Sequence, residues 1–577
     1  MPERLILCSG AKRAGGNSTL RLALSGRSNI TLKLEDISKK MVRNVPDLLI
    51  DLIEIAAYVY CADQATSRGG DVQVGMGADW RRSFRFVIPV RNPDHWNHRS
   101  VLEPLCSTLS FLSEDDYAFE FEKATNPVPF QDYLEFGDGG GGAAFKADEV
   151  VLFSGGLDSL SGAIEELSTN GKRVALVSHR SSPKIFDRQK HLVTELNTRF
   201  PQKLMHVPVL VTRQGPLRVQ EYTQRSRSFL YAALACIVAR LFGCGSFRFF
   251  ENGVVSINLP ISEQVVGARA TRSTHPLVLD HFPKFFSAAV GKPIEVDNPF
   301  IWKTKEDVVR SIVDHGCGGL IKHTVSCTRV HDITKLHTHC GCCSQCLDRR
   351  FAILAANAAD HDPVEMYKVE LLAGPRDEAD DQTMAESYVR TALELRELGD
   401  LAFFGRFGGE TARVLTCFPS LSADEVGRRV FDLHQRHAQA IGDVLQAAVE
   451  GHSAQFVDRR LPLSSLLMMT VSPGAAPALA TIGKHADSLQ AWIDEVEAEP
   501  ASVGHGAPEP QQRRRSKSQP ALERARGAIK ELYPDGVPNQ ATEPNANLCR
   551  RVSAKLQEES LPGVSDDTIL RAAGRRK

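Results

Sequence analysis

The sequence predicts an α/β protein built around a parallel β-sheet. Short apolar runs that favour strands alternate with longer helical patterns between residues 148 and 360, an order typical of parallel sheets with helices on both faces. Glycines and hydroxyl side chains directly follow the first of these strands, at the edge where open parallel sheets bind ligands. The patterns on either side differ from this, and they predict an α+β N-terminal domain and a mainly helical C-terminal region.

Residues 1–145 form the predicted N-terminal extension. Apolar residues recur at helical spacing in Pro46–Cys61, whereas Phe84–Val90 and Tyr117–Phe121 alternate as strands do. The glycine-rich stretch Gly137–Gly142 is typical of a flexible joint. We therefore expect a domain boundary close to residue 145.

Residues 148–360 form the predicted central domain. The predicted strands are Glu149–Phe153, Arg173–Ser178, Leu204–Val211 and Ser246–Glu251. The predicted helices are Ser159–Thr169, Asp187–Arg199 and Arg227–Phe242. Because a connecting segment separates each strand from the next, we expect the strands to pair in parallel.

The rest of the chain divides into three predicted segments. Residues 361–498 are mainly helical, residues 499–520 are rich in Pro, Gln, Ser and Arg as disordered linkers are, and residues 521–577 form a small basic helical module. Residues 501–577 carry 14 Lys or Arg against 9 Asp or Glu. The module resembles a helix-turn-helix accessory domain that would contact nucleic acid, although so modest an excess favours a solvated or protein-docking helix.

The composition excludes several classes of protein. The 577 residues have a net charge of −1, so no overall charge favours nucleic acid or a membrane surface. No apolar run approaches the roughly 18–20 residues that span a bilayer, and the first apolar stretch is too short for a signal peptide. We therefore expect a cytoplasmic protein without a membrane partner, in which crowded cysteines indicate a metal site rather than disulfides.

The turn Ser154–Ser159, with the sequence SGGLDS, is the first candidate site. Gly155 and Gly156 carry no side chains, so backbone N–H groups can approach an oxyanion there. The following helix adds the positive end of its dipole, and Ser154 and Ser159 add hydroxyl donors. No Gly-Lys-Ser/Thr follows, so this is not a Walker A loop. A plain tight turn that caps a helix is the alternative.

The same turn resembles the PP-loop of the N-type ATP pyrophosphatases, whose pattern Ser-Gly-Gly-x-Asp-Ser it matches at each fixed position. The resemblance implies a HUP-like, adenine nucleotide alpha hydrolase-like core that binds ATP. In that family a substrate oxygen attacks the α-phosphate, which gives an adenylated intermediate and pyrophosphate. The implied ATP-binding residues are Phe153, Ser154, Gly155, Gly156, Leu157, Asp158 and Ser159, of which Asp158 and Ser159 are also catalytic candidates. A carboxylate beside polyphosphate needs a cation, so Asp158 is expected to hold Mg²⁺ or to fix the loop.

A cluster of cysteines is the second candidate site. Cys340, Cys343 and Cys346 form two overlapping C-x2-C steps, and Cys327 lies upstream. Four thiolates around one centre describe a structural zinc site. His337 and His339 compete with Cys327 for the fourth position, and Cys342 is expected to be a spare thiol. Buried free cysteines or a redox pair are the alternatives.

The PP-loop followed by this cysteine pattern resembles the 7-cyano-7-deazaguanine synthases known as QueC. Those enzymes convert a 7-deazaguanine carboxylate to the nitrile with ATP and ammonia, and they carry a structural zinc. The resemblance covers about residues 148–357, and it implies basic residues near the phosphates in RSRSFLYAALA and PFIWKTKEDVV. These are Arg225, Arg227 and Lys305, of which Arg227 and Lys305 are catalytic candidates; Lys303 is a further basic candidate.

Three further candidates rest on their positions. His179 ends a predicted strand and is expected to meet adenine or ribose. Glu251 and Asn252 end another strand and are expected to recognise the substrate. His275, in the segment Thr274–Pro276 that resembles QueC, is a substrate candidate or a turn residue only.

The departures from the stand-alone synthase concern the product. The gap between Cys327 and Cys340 is longer, and Glu251–Pro260 stands where that enzyme has an aspartate-containing substrate segment. The N-terminal block resembles the extension of large QueC-like proteins of bacterial antiphage systems of the Qat and type IV CBASS kinds. That likeness implies adenylation of a deazaguanine carboxylate and transfer to an amine, with a protein acceptor or other components of a defence operon as partners.

Two other classes of function stay open at this point. The first is a PP-loop enzyme that modifies tRNA or DNA, to which the basic C-terminal module would present the nucleic acid. The second is a scaffold that keeps ATP and zinc sites without turnover. The acceptor of the activated acyl group and the oligomeric state are not encoded in any pattern that the sequence displays.

Overall fold

The computed structural model of this protein describes most of the chain up to residue 471 and three short helices beyond it. The described residues are 3–11, 19–25, 28–33, 36–37, 45–68, 81–125, 145–215, 217–221, 223–260, 272–329, 334, 336–471, 521–533, 545–558, 564 and 566–573. One compact unit comprises Met1–Arg68 and Asp79–Pro477, and a second comprises Gly69–Ala78 and Ala478–Lys577. The predicted joint at Gly137–Gly142 and the predicted linker at 499–520 lie outside the described residues.

The elements alternate as expected for an α/β protein. The strands are β1 (Arg4–Cys8), β2 (Leu20–Leu22), β3 (Ile30–Leu32), β4 (Ser83–Val90), β5 (Asp116–Lys123), β6 (Glu149–Leu152), β7 (Val174–His179), β8 (Leu204–Val209), β9 (Val211–Arg213), β10 (Ser246–Arg248) and β11 (Glu295–Asp297). The helices of the first unit are α1 (Asp47–Ala65), α2 (Pro93–Asn97), α3 (Arg99–Ser113), α4 (Leu157–Ser168), α5 (Pro183–Arg199), α6 (Arg227–Phe242), α7 (Gly253–Ile257), α8 (Pro276–Val290), α9 (Lys305–Asp314), α10 (Ser344–Ala355), α11 (Ala379–Glu397), α12 (Asp400–Leu415), α13 (Ala423–Gly451), α14 (Ser453–Val457) and α15 (Leu466–Val471). Single 3₁₀ turns occur at Gly318–His323, Ala359–His361 and Val364–Met366.

A five-stranded parallel sheet forms the centre of the first unit. Its strand order is β11-β10-β6-β7-β8, and β6 pairs in parallel with both β10 and β7. All residues of β6 and β7 are buried, as expected for strands covered on both faces. The parallel sheet predicted for the central region is confirmed, and the turn after β6 lies at its carboxyl edge.

The N-terminal region differs from the predicted α+β arrangement. Four of its described strands form a sheet in which all pairs are parallel, in the order β2-β1-β4-β5, so this sheet is of the α/β kind as well. Alternating apolar residues identify a strand without giving its direction, and the direction here follows from the helices between the strands. Helix α1 precedes β4, and helices α2 and α3 connect β4 with β5.

Helix α1 joins the N-terminal sheet to the central sheet. Every residue from Leu49 to Ala65 is buried, as in helices enclosed on all sides. One hydrophobic cluster runs from Ile6 of β1 through Ile53 of α1 to Phe229 of α6. Strand β3 also pairs antiparallel with β9. The N-terminal strands and the central sheet therefore share one core.

The helices after residue 378 pack directly on the central region. Leu347 and Phe351 of α10 share a hydrophobic cluster with Tyr388 of α11 and Ile441 of α13. A second cluster joins Ile301 to Phe403 and other residues of α12 and α13. These helices thus pack on α10 and on the segment that precedes α9.

The approach of α7 to the segment before α9 leaves no room for a side chain. A Cβ atom at Gly253 would lie 1.9 Å from the carbonyl oxygen of Ile301. We expect Gly253→Ala to lower the free energy of unfolding by about 2 kcal/mol or more, because the backbone must shift in a packed region. Chemical denaturation measures this change.

Gly405 provides the matched control for that substitution. It is an exposed residue inside helix α12, and an added Cβ would meet no atom within 4 Å. Gly405→Ala is expected to be neutral or to stabilise the protein by up to about 1 kcal/mol, because alanine favours helix interiors. Equal losses of stability in the two variants would contradict the close approach at Gly253.

The second unit contains helices α16 (Ala521–Leu532), α17 (Asn545–Glu558) and α18 (Asp566–Ala572). They enclose a small core that includes Ala528, Leu548, Val552 and Ile569. The helical module predicted for residues 521–577 is therefore present as three short helices. Among the described residues of either unit, no helix combines the length and the apolar character needed to cross a membrane.

Candidate functional site

The glycine turn between β6 and α4 has the backbone that its sequence requires. Gly155 has φ = +87°, a conformation that residues with side chains rarely adopt. Gly156 precedes the helix as its N-cap, and no side chain caps this end. The first turn of α4 therefore has no side-chain acceptor at its cap, which suits a bound phosphate.

Contacts from three directions hold the turn. The Nε2 atom of Gln189 on α5 donates to the Ser154 carbonyl at 3.0 Å, and the Val325 N–H donates to the Gly155 carbonyl at 3.0 Å. The hydroxyl oxygens of Ser154 and Ser159 lie 3.1 Å apart across the turn. The loop is thus shaped by the protein before any ligand binds, as an oxyanion site requires.

Asp158 is fixed by two partners. Its Oδ1 accepts from the backbone N–H and the side-chain Nδ2 of Asn252, each at 3.1 Å. Its Oδ2 accepts from the Lys305 ammonium. Because both carboxylate oxygens are engaged, the geometry favours the interpretation that Asp158 fixes the loop over the one in which it holds Mg²⁺. Asn252 is fully buried and positions Asp158.

Lys305 lies among three carboxyl groups. Besides the contact with Asp158, its Nζ lies 3.8 Å from Asp348 Oδ2. Burial alone would lower the pKa of Lys305, but the negative charges of Asp158 and then of Asp348 raise it above its ordinary value. The lysine therefore carries a permanent positive charge directly behind the first turn of α4.

Glu251 keeps its proton to higher pH in this cluster than an exposed carboxyl group does. Burial, followed by the repulsion of Asp158, raises its pKa from the ordinary 4.5 to about 8. Between these two values the unfolded chain has lost the proton that the folded protein still holds. The contribution of Glu251 to stability is therefore complete below about pH 4.5 and declines as the pH rises towards 8.

The substitution Glu251→Gln tests this protonation state. The variant has no proton to lose, so its free energy of unfolding is expected to fall less steeply than that of the native protein between pH 5 and 8. Denaturation series at several pH values measure the two slopes. Identical slopes would show that Glu251 is ionised in the folded protein at neutral pH.

The four predicted cysteine ligands converge on one point. The sulfur atoms of Cys327, Cys340, Cys343 and Cys346 all lie within 4.8 Å of one another, and all four residues are buried. Cys340 Sγ and Cys346 Sγ are 3.8 Å apart. This is about the edge of a tetrahedron with Zn–S bonds of about 2.3 Å, so the four thiols fit a structural zinc ion.

The other residues near this centre do not join it. His337 and His339, the predicted competitors for the fourth position, are outside the convergent group. His339 stacks on Tyr367 with ring centroids 4.9 Å apart. Burial raises the pKa of the Cys342 thiol to about 12, so this residue is the spare, protonated thiol that its spacing predicts.

A buried arginine connects α10, the helix that contains Cys346, to the rest of the site. Arg349 donates to Asp362 Oδ1 at 2.7 Å, to Thr324 Oγ1 at 2.6 Å and to the Ile321 carbonyl at 2.9 Å. Its side chain is fully buried. The segment after Ile321 continues to Val325, whose N–H contacts the glycine turn. The metal centre and the turn are therefore neighbours through one short segment.

The predicted phosphate ligands are Arg225, just before α6, and Arg227, the first residue of α6, and residues of the N-terminal region act on both. Burial, followed by the charge of Arg68, lowers the pKa of Arg225 to about 10. Arg227 stacks over the Tyr231 ring at 5.4 Å. The described contacts do not bring either residue to the glycine turn, so their role at the phosphates stays a prediction. Lys303 pairs with Glu165 at 2.7 Å, on the outer side of α4.

The two predicted histidine candidates have structural partners. His179 is fully buried, its Nε2 donates to the Val211 carbonyl at 2.7 Å, and its ring contacts Tyr60 of α1. Burial lowers its pKa to about 4. His275 caps helix α8 by accepting from the Leu277 N–H at 3.2 Å. This burial does not favour a contact of His179 with adenine, and the cap that His275 forms agrees with its alternative role as a turn residue, while its role at a substrate stays a prediction.

The sequence patterns did not identify several residues that shape the site. Gln189 holds the turn, and Asp348 extends the charged cluster behind it. Arg188, next to Gln189, is half-buried, and burial followed by the charge of Arg349 lowers its pKa. Within the described part of the chain, Arg188 forms no ion pair. The sequence signal for these residues was the polar run in the first half of α5. Its position next to the turn follows only from the fold.

Comparison with known proteins agrees with this class of site. The structure has a glycine turn at the carboxyl edge of a parallel sheet and a cluster of four cysteines. Residues 273–357 match the family "Queuosine biosynthesis protein QueC". The matched segment includes Lys305, Asp348 and all four cysteines, and it begins after the glycine turn. No curated protein matches the chain. This segment is thus similar to QueC, and the match supports an ATP-utilising enzyme of the synthase type in general.

Proposed function

We propose that this protein uses ATP to adenylate a carboxylate, with release of pyrophosphate, and transfers the acyl group to ammonia or an amine. The observation that carries the proposal is the preformed glycine turn at the start of α4, backed by the Lys305–Asp158 pair. A carboxylate is a poor acyl donor in water, and ATP supplies the leaving group when it binds. The conclusion rests on this geometry together with the QueC match.

The chain's own residues have separable tasks in this proposal. The N–H groups of Gly155–Ser159 bind the phosphates, with the helix dipole behind them. Lys305 places positive charge under the same turn, where the departing pyrophosphate carries negative charge. Asp158 and Asn252 hold Lys305 and the turn in register. Mg²⁺ would accompany the nucleotide rather than a carboxylate set of this chain.

The metal centre has a supporting task. Four thiolates complete the tetrahedron that zinc prefers and leave no open position for a substrate. The centre therefore organises α10 and the segment that contacts Gly155, and it takes no part in the bond-forming steps. In this proposal the zinc site keeps α10 and the neighbouring segment in place, and the phosphate site supplies the positive charge that acts on the pyrophosphate.

The substrate and setting of the proposal follow the resemblance. The carboxylate is a 7-deazaguanine carboxylate or a related one, the setting is antiphage defence in the cytoplasm, and a protein or another defence component is the partner. Hydrogen-bond donors on such a ring are chemically compatible with the carboxylates beside the turn, and the Lys305 ammonium supplies the positive charge that a carboxylate at the edge of the ring needs. In the alternative function, the helices of the second unit would bind the nucleic acid.

Product analysis tests the proposal directly. The protein is incubated with ATP, Mg²⁺ and 7-carboxy-7-deazaguanine, and AMP and pyrophosphate are measured; equal amounts of both are expected. Release of ADP and phosphate would contradict adenylation. AMP formed only with tRNA or DNA would assign the nucleic-acid-modifying alternative. Absence of AMP with every carboxylate would favour a scaffold.

A further inference from the structure

A cavity lies between the metal helix α10, helix α7 and the helices that follow residue 378. Its volume is about 220 Å³, and most of its lining is apolar, including Val255, Leu259, Leu395 and Phe407. Drug-sized ligands occupy pockets of roughly 300–1,000 Å³, so this one suits a ligand of one or two fused rings. The lining of the cavity does not include the glycine turn, but it includes Asp348, whose Oδ2 lies 3.8 Å from Lys305 Nζ.

Two buried hydrogen-bond acceptors in this lining have no hydrogen-bond partner. Asp348 is 5% exposed, and its Oδ2 accepts no hydrogen bond. His434 is 2% exposed, and its Nδ1 lies 2.7 Å from the Val430 carbonyl, to which it must donate. The Nε2 of His434 therefore carries a lone pair, and it also has no partner. Unsatisfied buried polar atoms are costly, so a ligand with donors would relieve both.

A residue from the helices after residue 378 holds the Asp348 carboxylate in place. The Tyr388 hydroxyl on α11 donates to Asp348 Oδ1 at 3.1 Å and lies 3.4 Å from His437 Nε2 on α13. This bond occupies one carboxylate oxygen and leaves Oδ2 open. Oδ2 in turn lies 3.8 Å from Lys305, which contacts Asp158 at the turn. A ligand bound on Asp348 is therefore adjacent to the phosphate site.

We propose that this cavity binds the heterocycle of the carboxylate substrate through its N–H edge, with Asp348 and His434 as acceptors. The inference rests on the proposed function. It adds the place where the ring binds and the part of the chain that recognises the ring. A flat ring fits the small apolar walls, and an edge with adjacent N–H groups matches a carboxylate oxygen and a neutral imidazole. A hydrated ammonium ion would find few polar contacts on these walls.

Helices α11–α13 thereby determine which ring the enzyme accepts. Tyr388 is a positioning residue for Asp348, and His434 contacts the ring itself. Both lie beyond residue 357, where the QueC match ends. Substrate recognition would then differ between this chain and proteins that share only the matched segment.

Calorimetry tests the inference independently of turnover. The full-length protein is titrated with 7-deazaguanine and with 7-deazahypoxanthine, which lacks only the exocyclic amine, both with and without α,β-methylene-ATP. At least tenfold tighter binding of 7-deazaguanine is expected. Equal affinity for the two rings, no binding under either condition, or preferential binding of methylammonium would overturn the proposal.

Three variants locate the binding to the cavity. Ala392→Phe fills the space and is expected to weaken 7-deazaguanine binding at least tenfold, and Asp348→Asn is expected to remove the preference for the exocyclic amine. Tyr388→Phe keeps the packing and removes one hydroxyl, so a loss of about threefold to tenfold is expected even if the bulkier variants fold poorly. Affinities within twofold of the native protein in Tyr388→Phe and in folded Ala392→Phe would overturn the proposal. Ring binding without AMP formation would instead refute the proposed function and leave the cavity assignment intact.

Discussion

Replacing Lys305 with methionine is expected to lower AMP release at least ~100-fold, because removal of one preorganised charge at a reacting phosphate costs about that much. The variant also leaves Asp158 and Asp348 without the cation that they share. Loss of one partner of a buried ion pair typically costs about 3–5 kcal/mol of stability. The measurements are kcat/KM for AMP formation and the free energy of unfolding by denaturant.

Lys303→Met is the matched control for this change. Lys303 lies two residues away, and its ion pair with Glu165 is partly exposed. Exposed pairs contribute about 0–1 kcal/mol, so this variant is expected to change the free energy of unfolding by no more than that. A Lys305→Met protein that keeps a tenth or more of the native activity would refute the role of Lys305 at the pyrophosphate.

Cys346→Ser is expected to abolish stoichiometric zinc binding and to lower the melting temperature strongly. Structural zinc contributes about 10–16 kcal/mol of apparent binding free energy in small zinc domains, so loss of one of four thiolates is expected to disorganise α10. Since the same region supplies the Val325 N–H to Gly155, ATP binding should weaken as well. Metal analysis, thermal unfolding and nucleotide titration measure the three effects.

Cys342→Ser separates ligation from the general loss of a buried thiol. Cys342 is buried next to the cluster in the chain but is not one of the four convergent cysteines. This variant is expected to retain one zinc per chain and nearly native ATP affinity. Equal zinc loss in both variants would show that the ligand set is not the four cysteines assigned to it.

Local patterns predicted those parts of the fold that depend on local sequence. Helix α6 begins and ends at Arg227 and Phe242 as predicted, and the strands of the central sheet lie within a few residues of their expected positions. The cysteine ligands could also be identified, because C-x2-C spacing already brings thiolates to one side of a turn. These features need few long-range contacts.

Features that depend on long-range packing could not be predicted. His179 ends a strand, as a ligand-binding residue would, but Tyr60 of α1 covers it. The local sequence around His179 does not indicate that α1 packs against this strand end. The direction of the N-terminal strands depends likewise on which helices connect them. Asp348 and Tyr388 belong to separate helices, so their contact appears only once α10 and α11 are packed.

Helix α1 has a consequence for the synthesis of the protein on the ribosome. Its buried surface packs on α6, which ends about 180 residues further along the chain, and synthesis at about 5–20 residues per second separates the two by roughly 9 to 36 seconds. During that interval the part of this 19-residue apolar helix that packs on α6 is without that complete partner. The nascent chain should therefore be a client of ribosome-associated chaperones until residue 242 has emerged.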